Sequence, residues 1–250
     1  MNKRKKVFIV LFIISVIFNI ALAGYVALDY YRNKRNKDIF KLNAYAWMNS
    51  QLEIPKYDEN RVVFIGNSIT ENWIHLRYKF FSENNYICRG IGGQTSSLLL
   101  LRFRQDVIEL KPKVVVINAG INDIAENTGT YDPDFTLGNI KSMAELAKIN
   151  NIKVILSSIL PSNGYGWRGG IENIPEKINQ LNDKIKSYAQ ENGFYYVDYN
   201  TPMKAEDSSL KASYTFDGLH PNEDGYIVME TLVQNAINSI LNDSQTTKNE

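Results

Sequence analysis

Three residues in this chain have the types and order needed to activate a hydroxyl for attack on a carbonyl. Ser68 stands in Phe64-Ile65-Gly66-Asn67-Ser68-Ile69-Thr70, directly after an apolar run and at a glycine-marked turn. Asp217 and His220 stand three positions apart in Asp217-Gly218-Leu219-His220-Pro221. A serine hydroxyl is a weak nucleophile until a base takes its proton, and the base works best when a carboxylate orients it. In a turn, this spacing lets the carboxylate reach one ring nitrogen while the other faces Ser68. The order Ser, Asp, His therefore points to hydrolysis through an acyl-enzyme. The other of the two histidines, His75, falls mid-helix in Trp73-Ile74-His75-Leu76 without an acid at the matching offset, and reads as a bystander.

Acyl transfer also needs donors for a developing oxyanion. Ser68 is expected at a strand C-terminus where a helix begins near Thr70, so free backbone N–H groups lie beside its hydroxyl. Ile91-Gly92-Gly93-Gln94-Thr95 follows a second apolar run, and its two glycines let backbone approach a ligand closely. Gly90-Ile91-Gly92 is not a dinucleotide fingerprint, because Thr95 occupies the third glycine position. Asn118-Ala119-Gly120-Ile121-Asn122-Asp123 follows a third run. Asn122 can offer an amide donor there, and Asp123 reads as a loop or capping residue.

These residues need elements to hold them. Five short apolar runs, Arg61–Gly66, Tyr86–Arg89, Lys113–Ala119, Ile152–Ile159 and Phe194–Asp198, have the length and β-branched content of strands buried on both faces. Helical spacing marks Ser96–Leu110, Pro133–Asn150, Pro175–Gln190 and Asn222–Leu241. Strand–helix alternation predicts a parallel sheet between helix layers, with ligands outside the carboxyl ends of the strands. Residues 31–60 read as a basic stalk with a first helix at Ile39–Leu52, residues 61–242 as the enzyme domain, and residues 243–250 as a polar tail.

Apolar residues make up 44% and charged residues 22% of the 250, enough for a real core. A net charge of +1 supplies no field for nucleic acid, and one cysteine excludes a disulfide framework or a multi-cysteine metal site. Lys3-Arg4-Lys5-Lys6 precedes an apolar run from Val7 to about Leu28. About 22 helical residues span roughly 33 Å, close to the hydrocarbon thickness of a bilayer. Ala21-Leu22-Ala23 resembles a signal-peptide cleavage site, but the run is long for one. The favoured reading is an uncleaved transmembrane anchor over residues 1–30; either reading puts the rest of the chain outside the cytoplasmic membrane.

Taken together, the four segments resemble the SGNH (GDSL-like) hydrolase family over about Arg61 to Leu241. That resemblance implies a flavodoxin-like three-layer α/β/α sandwich with a five-stranded parallel sheet. It also implies Ser68 as nucleophile, His220 as base, Asp217 as its orienter, and Ser68, Gly93 and Asn122 as oxyanion donors. The family's first block usually reads Gly-Asp-Ser, whereas this chain has Gly66-Asn67-Ser68. The implied activity is a metal-free, cofactor-free esterase acting on short esters, acetyl foremost, of small molecules or glycans. The alternatives are a lysophospholipase or thioesterase, a glycan O-acyltransferase, or a non-catalytic glycan-binding module. In Pro161–Gly170, Tyr165 and Trp167 are candidates to stack on a sugar and Arg168 to bind an anionic group. Oligomeric state is not legible.

Overall fold

A computed structural model describes residues 2–56 and 59–246, the side chains of 32–39 and 243–246 excepted. It divides into two compact units, Met1–Lys41 and Leu42–Glu250. The first holds one helix, α1 (Lys3–Ile39), whose stretch Lys3–Tyr31 is long and apolar enough to cross a membrane. Asn19, in the middle of that stretch, turns its Nδ2 back on the Ser15 carbonyl at 2.7 Å. A polar side chain satisfied within its own helix fits an apolar setting. The expected stalk cations Arg32, Lys34, Arg35 and Lys37 lie outside the described side chains.

The second unit runs α2 (Ala46–Ser50), β1 (Val62–Gly66), α3 (Ser68–Leu76), α4 (Tyr78–Glu83), β2 (Tyr86–Gly90), α5 (Ser96–Asp106), β3 (Val114–Asn118), α6 (Ile121–Ile124), α7 (Pro133–Ile149), β4 (Lys153–Ser157), α8 (Ile174–Asn192), β5 (Tyr195–Val197), α9 (Asn200–Met203) and α10 (Glu223–Thr246). All five expected strands are present; β2 runs one residue further, to Gly90, and the other four are trimmed at their ends. They form one parallel sheet in the order β2-β1-β3-β4-β5. Every residue of β1 and β3 is buried, as a sheet covered on both faces requires. The order reverses direction after β2, so right-handed crossovers place α5, α7 and α8 on one face and α3 with α10 on the other.

Three helices differ from the sequence reading. The helix expected over Ile39–Leu52 is confined to Ala46–Ser50, because Lys41 takes a left-handed φ of 43° and the chain turns through 42–45. The helix expected to run to Leu110 stops at Asp106 and continues as one 3₁₀ turn, Ile108–Leu110. The last helix passes the expected boundary at 242 and reaches Thr246; the rest of the polar tail lies outside the described residues.

The helix that begins at Ser68 and the last helix are clamped together. Tyr226 Oη donates to the Ile69 carbonyl at 2.7 Å and stacks on Trp73 with centroids 5.4 Å apart. Glu230 accepts from Trp73 Nε1 at 3.2 Å and from Arg77 Nε and Nη2 at 2.9 and 3.0 Å. The start of α3 also lies against the end of β2, where a Cβ on Gly90 would meet the Glu71 backbone nitrogen at 2.1 Å. Backbone cannot move aside as a side chain does, so only glycine fits. Gly90→Ala is therefore expected to destabilise the fold by at least about 1–3 kcal/mol. Gly138→Ala, inside α7 with open space around its Cβ, is expected to stabilise it by about 0.5–1 kcal/mol. Thermal melts of the two variants check the contrast.

Candidate active site

Sheet register brings the motifs together. Gly66 pairs with Gly90 on one side and with Asn118 on the other, so three strands end at one level. The turns that follow carry Ser68, Gly93 and Asn122. Asn67 leaves β1 and caps α3, its Oδ1 accepting from the Ile69 N–H at 3.0 Å. Ser68 is thus the first residue of a helix, beside unpaired N–H groups and the positive end of the helix dipole. Asn67 keeps the capping oxygen that an aspartate would supply. Its Nδ2 is buried without a hydrogen-bond partner.

The turn before α10 folds His220 back to Ser68. Thr215 organises it: its hydroxyl donates to the His220 carbonyl at 2.7 Å and accepts from the Gly218 N–H at 3.0 Å. Asp217 Oδ1 accepts from the Leu219 and His220 N–H groups at 3.0 and 2.8 Å. Asp217 Oδ2 is left to meet His220 Nδ1 at 2.7 Å, and His220 Nε2 lies 2.9 Å from Ser68 Oγ. The sequence-predicted Ser68, His220 and Asp217 thus form one continuous chain of hydrogen bonds. Partial burial works to raise the Asp217 pKa, but the bonds from the His220 ring and from the two backbone N–H groups outweigh it and pull the carboxyl down to about 2.

On the other side of Ser68, Gly93 takes a φ of 78°, a conformation that few side-chain-bearing residues adopt. The preceding Gly92 N–H is held by Glu71 Oε2 at 2.8 Å, which pins the glycine turn against α3. Asn122 is buried, and its Nδ2 donates to the Gln94 carbonyl at 2.9 Å. The amide has two hydrogens, so that bond uses one and fixes the direction of the other. Asp123 is the capping residue expected from the sequence: it accepts from the Ser96 N–H at 2.9 Å and from the Ser96 hydroxyl at 2.5 Å, at the start of α5. Burial raises its carboxyl above the ordinary range against those bonds. His75 sits on the exposed face of the last turn of α3 and takes no part.

The loop after β4 divides its three candidates. Tyr165 is buried and donates to the Ile121 carbonyl at 3.1 Å, so it anchors the loop. Arg168 donates to the Glu126 carbonyl at 2.7 Å and faces that residue's carboxylate at 3.6 Å, so its charge already has a partner. Trp167 is 52% exposed, and its ring centroid lies 6.4 Å from that of His220. It is the one of the three that offers a free face at the site.

Residues 64–228 match the sequence profile of the GDSL-like Lipase/Acylhydrolase family. The solved structure of a protein assigned as an acylhydrolase from Bacteroides fragilis NCTC 9343 is 53% identical, with a TM-score of 0.80 over 82% of this chain and 99% of that one. A GDSL-like lipase from Bacteroides thetaiotaomicron VPI-5482 is 52% identical, with a TM-score of 0.79 over 80% and 98%. An acetylxylan esterase from Xylanibacter ruminicola is 24% identical over 76% of this chain and 45% of its own length. An N-acylneuraminate cytidylyltransferase from Escherichia coli O18:K1:H7 is 25% identical over 68% and 38%. This chain therefore spans less than half the length of either curated relative.

The low pKa of Asp217 fixes one pH dependence. A depressed carboxyl stabilises the fold above its ordinary 3.8, and that contribution is lost as pH falls toward about 2. From about pH 4 upward Asp217 is ionised, so it is expected to add no step of its own to the acid limb of kcat/KM. The limb should therefore fall with a slope of no more than one as pH drops; a slope of two would contradict this. Asp217→Asn is expected to lower kcat on the order of 10⁴-fold by releasing the imidazole tautomer, measured as steady-state ester hydrolysis.

Proposed function

Since the chain belongs to the GDSL-like lipase/acylhydrolase family and is an ester hydrolase, we propose that it removes short acyl groups, acetyl foremost, from carbohydrate through a serine acyl-enzyme. The observation that carries the mechanism is the relay Ser68 Oγ to His220 Nε2 at 2.9 Å and His220 Nδ1 to Asp217 Oδ2 at 2.7 Å. His220 takes the hydroxyl proton as Ser68 Oγ bonds to the ester carbon. The carbonyl π electrons move onto oxygen, where the Ser68 and Gly93 N–H groups and the Asn122 amide stabilise the charge. Collapse of the adduct expels the alcohol, which takes the proton from His220. Water, deprotonated by His220, then attacks the acyl-enzyme, and Ser68 leaves with that proton to release the acid.

The substrate assignment draws on the exposed face of Trp167 beside His220, which suits stacking on a sugar ring. The acetylxylan esterase relative points the same way. The cellular setting is supported by α1, long and apolar enough to cross a membrane. We take residues 1–30 as a membrane anchor, 31–60 as its connection, 61–242 as a hydrolase domain outside the cytoplasmic membrane and 243–250 as a tail.

A hydrolysis screen on p-nitrophenyl esters of two to sixteen carbons and on acetylated xylo-oligosaccharides tests the reading. The expected optimum is at two carbons, with release of acetate from the oligosaccharide; an optimum at long acyl chains would overturn the substrate class. Ser68→Ala is expected to abolish turnover. Asn122→Ala is expected to lower kcat about 10²–10³-fold.

A further inference from the structure

Behind the site lies a charge that the acyl-transfer scheme leaves unused. Arg102, on α5, is wholly buried beside the core residues Leu99 and Phe103 of its own helix. A guanidinium survives there only if its donors are paired. Nη1 donates to Asp106 Oδ2 at 2.8 Å, one turn on, which balances the charge. The other bonds leave the helix. Nε donates to Gln94 Oε1 at 2.6 Å, and Nη2 donates to the carbonyls of Gly66 at 3.0 Å and Arg89 at 2.8 Å.

Each of those three acceptors lies within four residues of a proposed oxyanion donor. Gly66 ends β1 two residues before Ser68, and Arg89 lies in β2 four residues before Gly93. Gln94 directly follows Gly93, and its carbonyl receives the Asn122 amide at 2.9 Å. Charge balance needs Asp106 alone; it does not require a planar fork spread over three chain segments. A guanidinium holds its donors at fixed angles, so it sets distances between the groups it binds in a way an ammonium cannot. A shift of about 1 Å in such donors is enough to cost on the order of 10² in rate.

We infer that Arg102 is a positioning residue for the hydrolysis. Acting through Gln94 and the ends of β1 and β2, it sets the mutual geometry of the Ser68, Gly93 and Asn122 donors. The inference rests on the esterase reading of the site.

Arg102→Ala would strand the buried Asp106 carboxylate and fail to fold for that reason alone, so the test uses gentler changes in the full chain. Gln94→Met keeps the size and removes the strong acceptor, leaving the Arg102–Asp106 pair whole. Arg102→Lys keeps the charge opposite Asp106 and removes the fork, and covers the case in which the first variant does not fold. With p-nitrophenyl acetate, either is expected to lower kcat about 10- to 100-fold with KM within about threefold of wild type. The midpoint of the acid limb should stay in place, because the His220–Asp217 pair is untouched. A kcat within about threefold of wild type, a KM that rises as kcat falls, or a displaced midpoint overturns the positioning role. Wild-type protein inactive on every ester would sink the esterase reading; active wild type with unaffected variants sinks this inference alone.

Discussion

One contact, Ser68 Oγ to His220 Nε2, joins residues 152 apart in sequence, and neither group can do acyl-transfer chemistry without the other. The fold holds that contact from both ends. On the serine side, strand register sets Gly66, Gly90 and Asn118 level, so the turns beyond them meet at one place. On the histidine side, the Thr215 hydroxyl and the Asp217 carboxylate close a turn too short to drift. Between the two ends, Tyr226 and Glu230 fasten α10 to α3. The clamp combines aromatic stacking with charge-assisted bonds to a partly buried carboxylate, and such bonds are stronger than neutral ones.

Charge is distributed unevenly around the site. Asp217 is half exposed, yet its carboxyl is held near the bottom of the usual range because three N–H groups converge on it. Arg102 and Asp106 are wholly buried, where an unpaired charge would be prohibitive, and each is spoken for. Asp106 also accepts from Asn49 at 2.7 Å, and Arg89 donates to the same Asn49 at 2.8 Å. Tyr45 donates to the Gly90 carbonyl, and the Arg89 guanidinium lies 4.7 Å from the Tyr45 ring centroid. The short segment around α2 is therefore part of the scaffold behind the glycine turn and not a free linker.

The meeting of Ser68, Asp217 and His220 was legible because Ser68 follows an apolar run and Asp217 stands three residues before a histidine that precedes a proline. β1, β3 and β4 were legible from their β-branched runs, whereas β2 and β5 carry one β-branched residue each and were legible from their short length and their alternation with helical stretches. Other features left weaker traces. α4, α6 and α9 are four to six residues long, too short for a helical period to emerge. The break before α2 depends on a left-handed Lys41, and lysine gives no warning of one. The division of labour among Tyr165, Trp167 and Arg168 depends on which partner each loop side chain finds after folding. Arg102 did leave a trace: with Leu99, Phe103 and Asp106 it falls on the buried stripe of its helix, and a charged pair four apart on such a stripe signals a buried network.

The central claim is that Ser68 is nucleophilic because His220 deprotonates it. Covalent trapping with a fluorophosphonate, followed by peptide mass spectrometry, addresses it most directly. A single adduct on Ser68 is expected in the wild-type chain, formed far more slowly in His220→Ala while the melting temperature holds. Labelling of another residue, or of Ser68 at the wild-type rate without the imidazole, would contradict it.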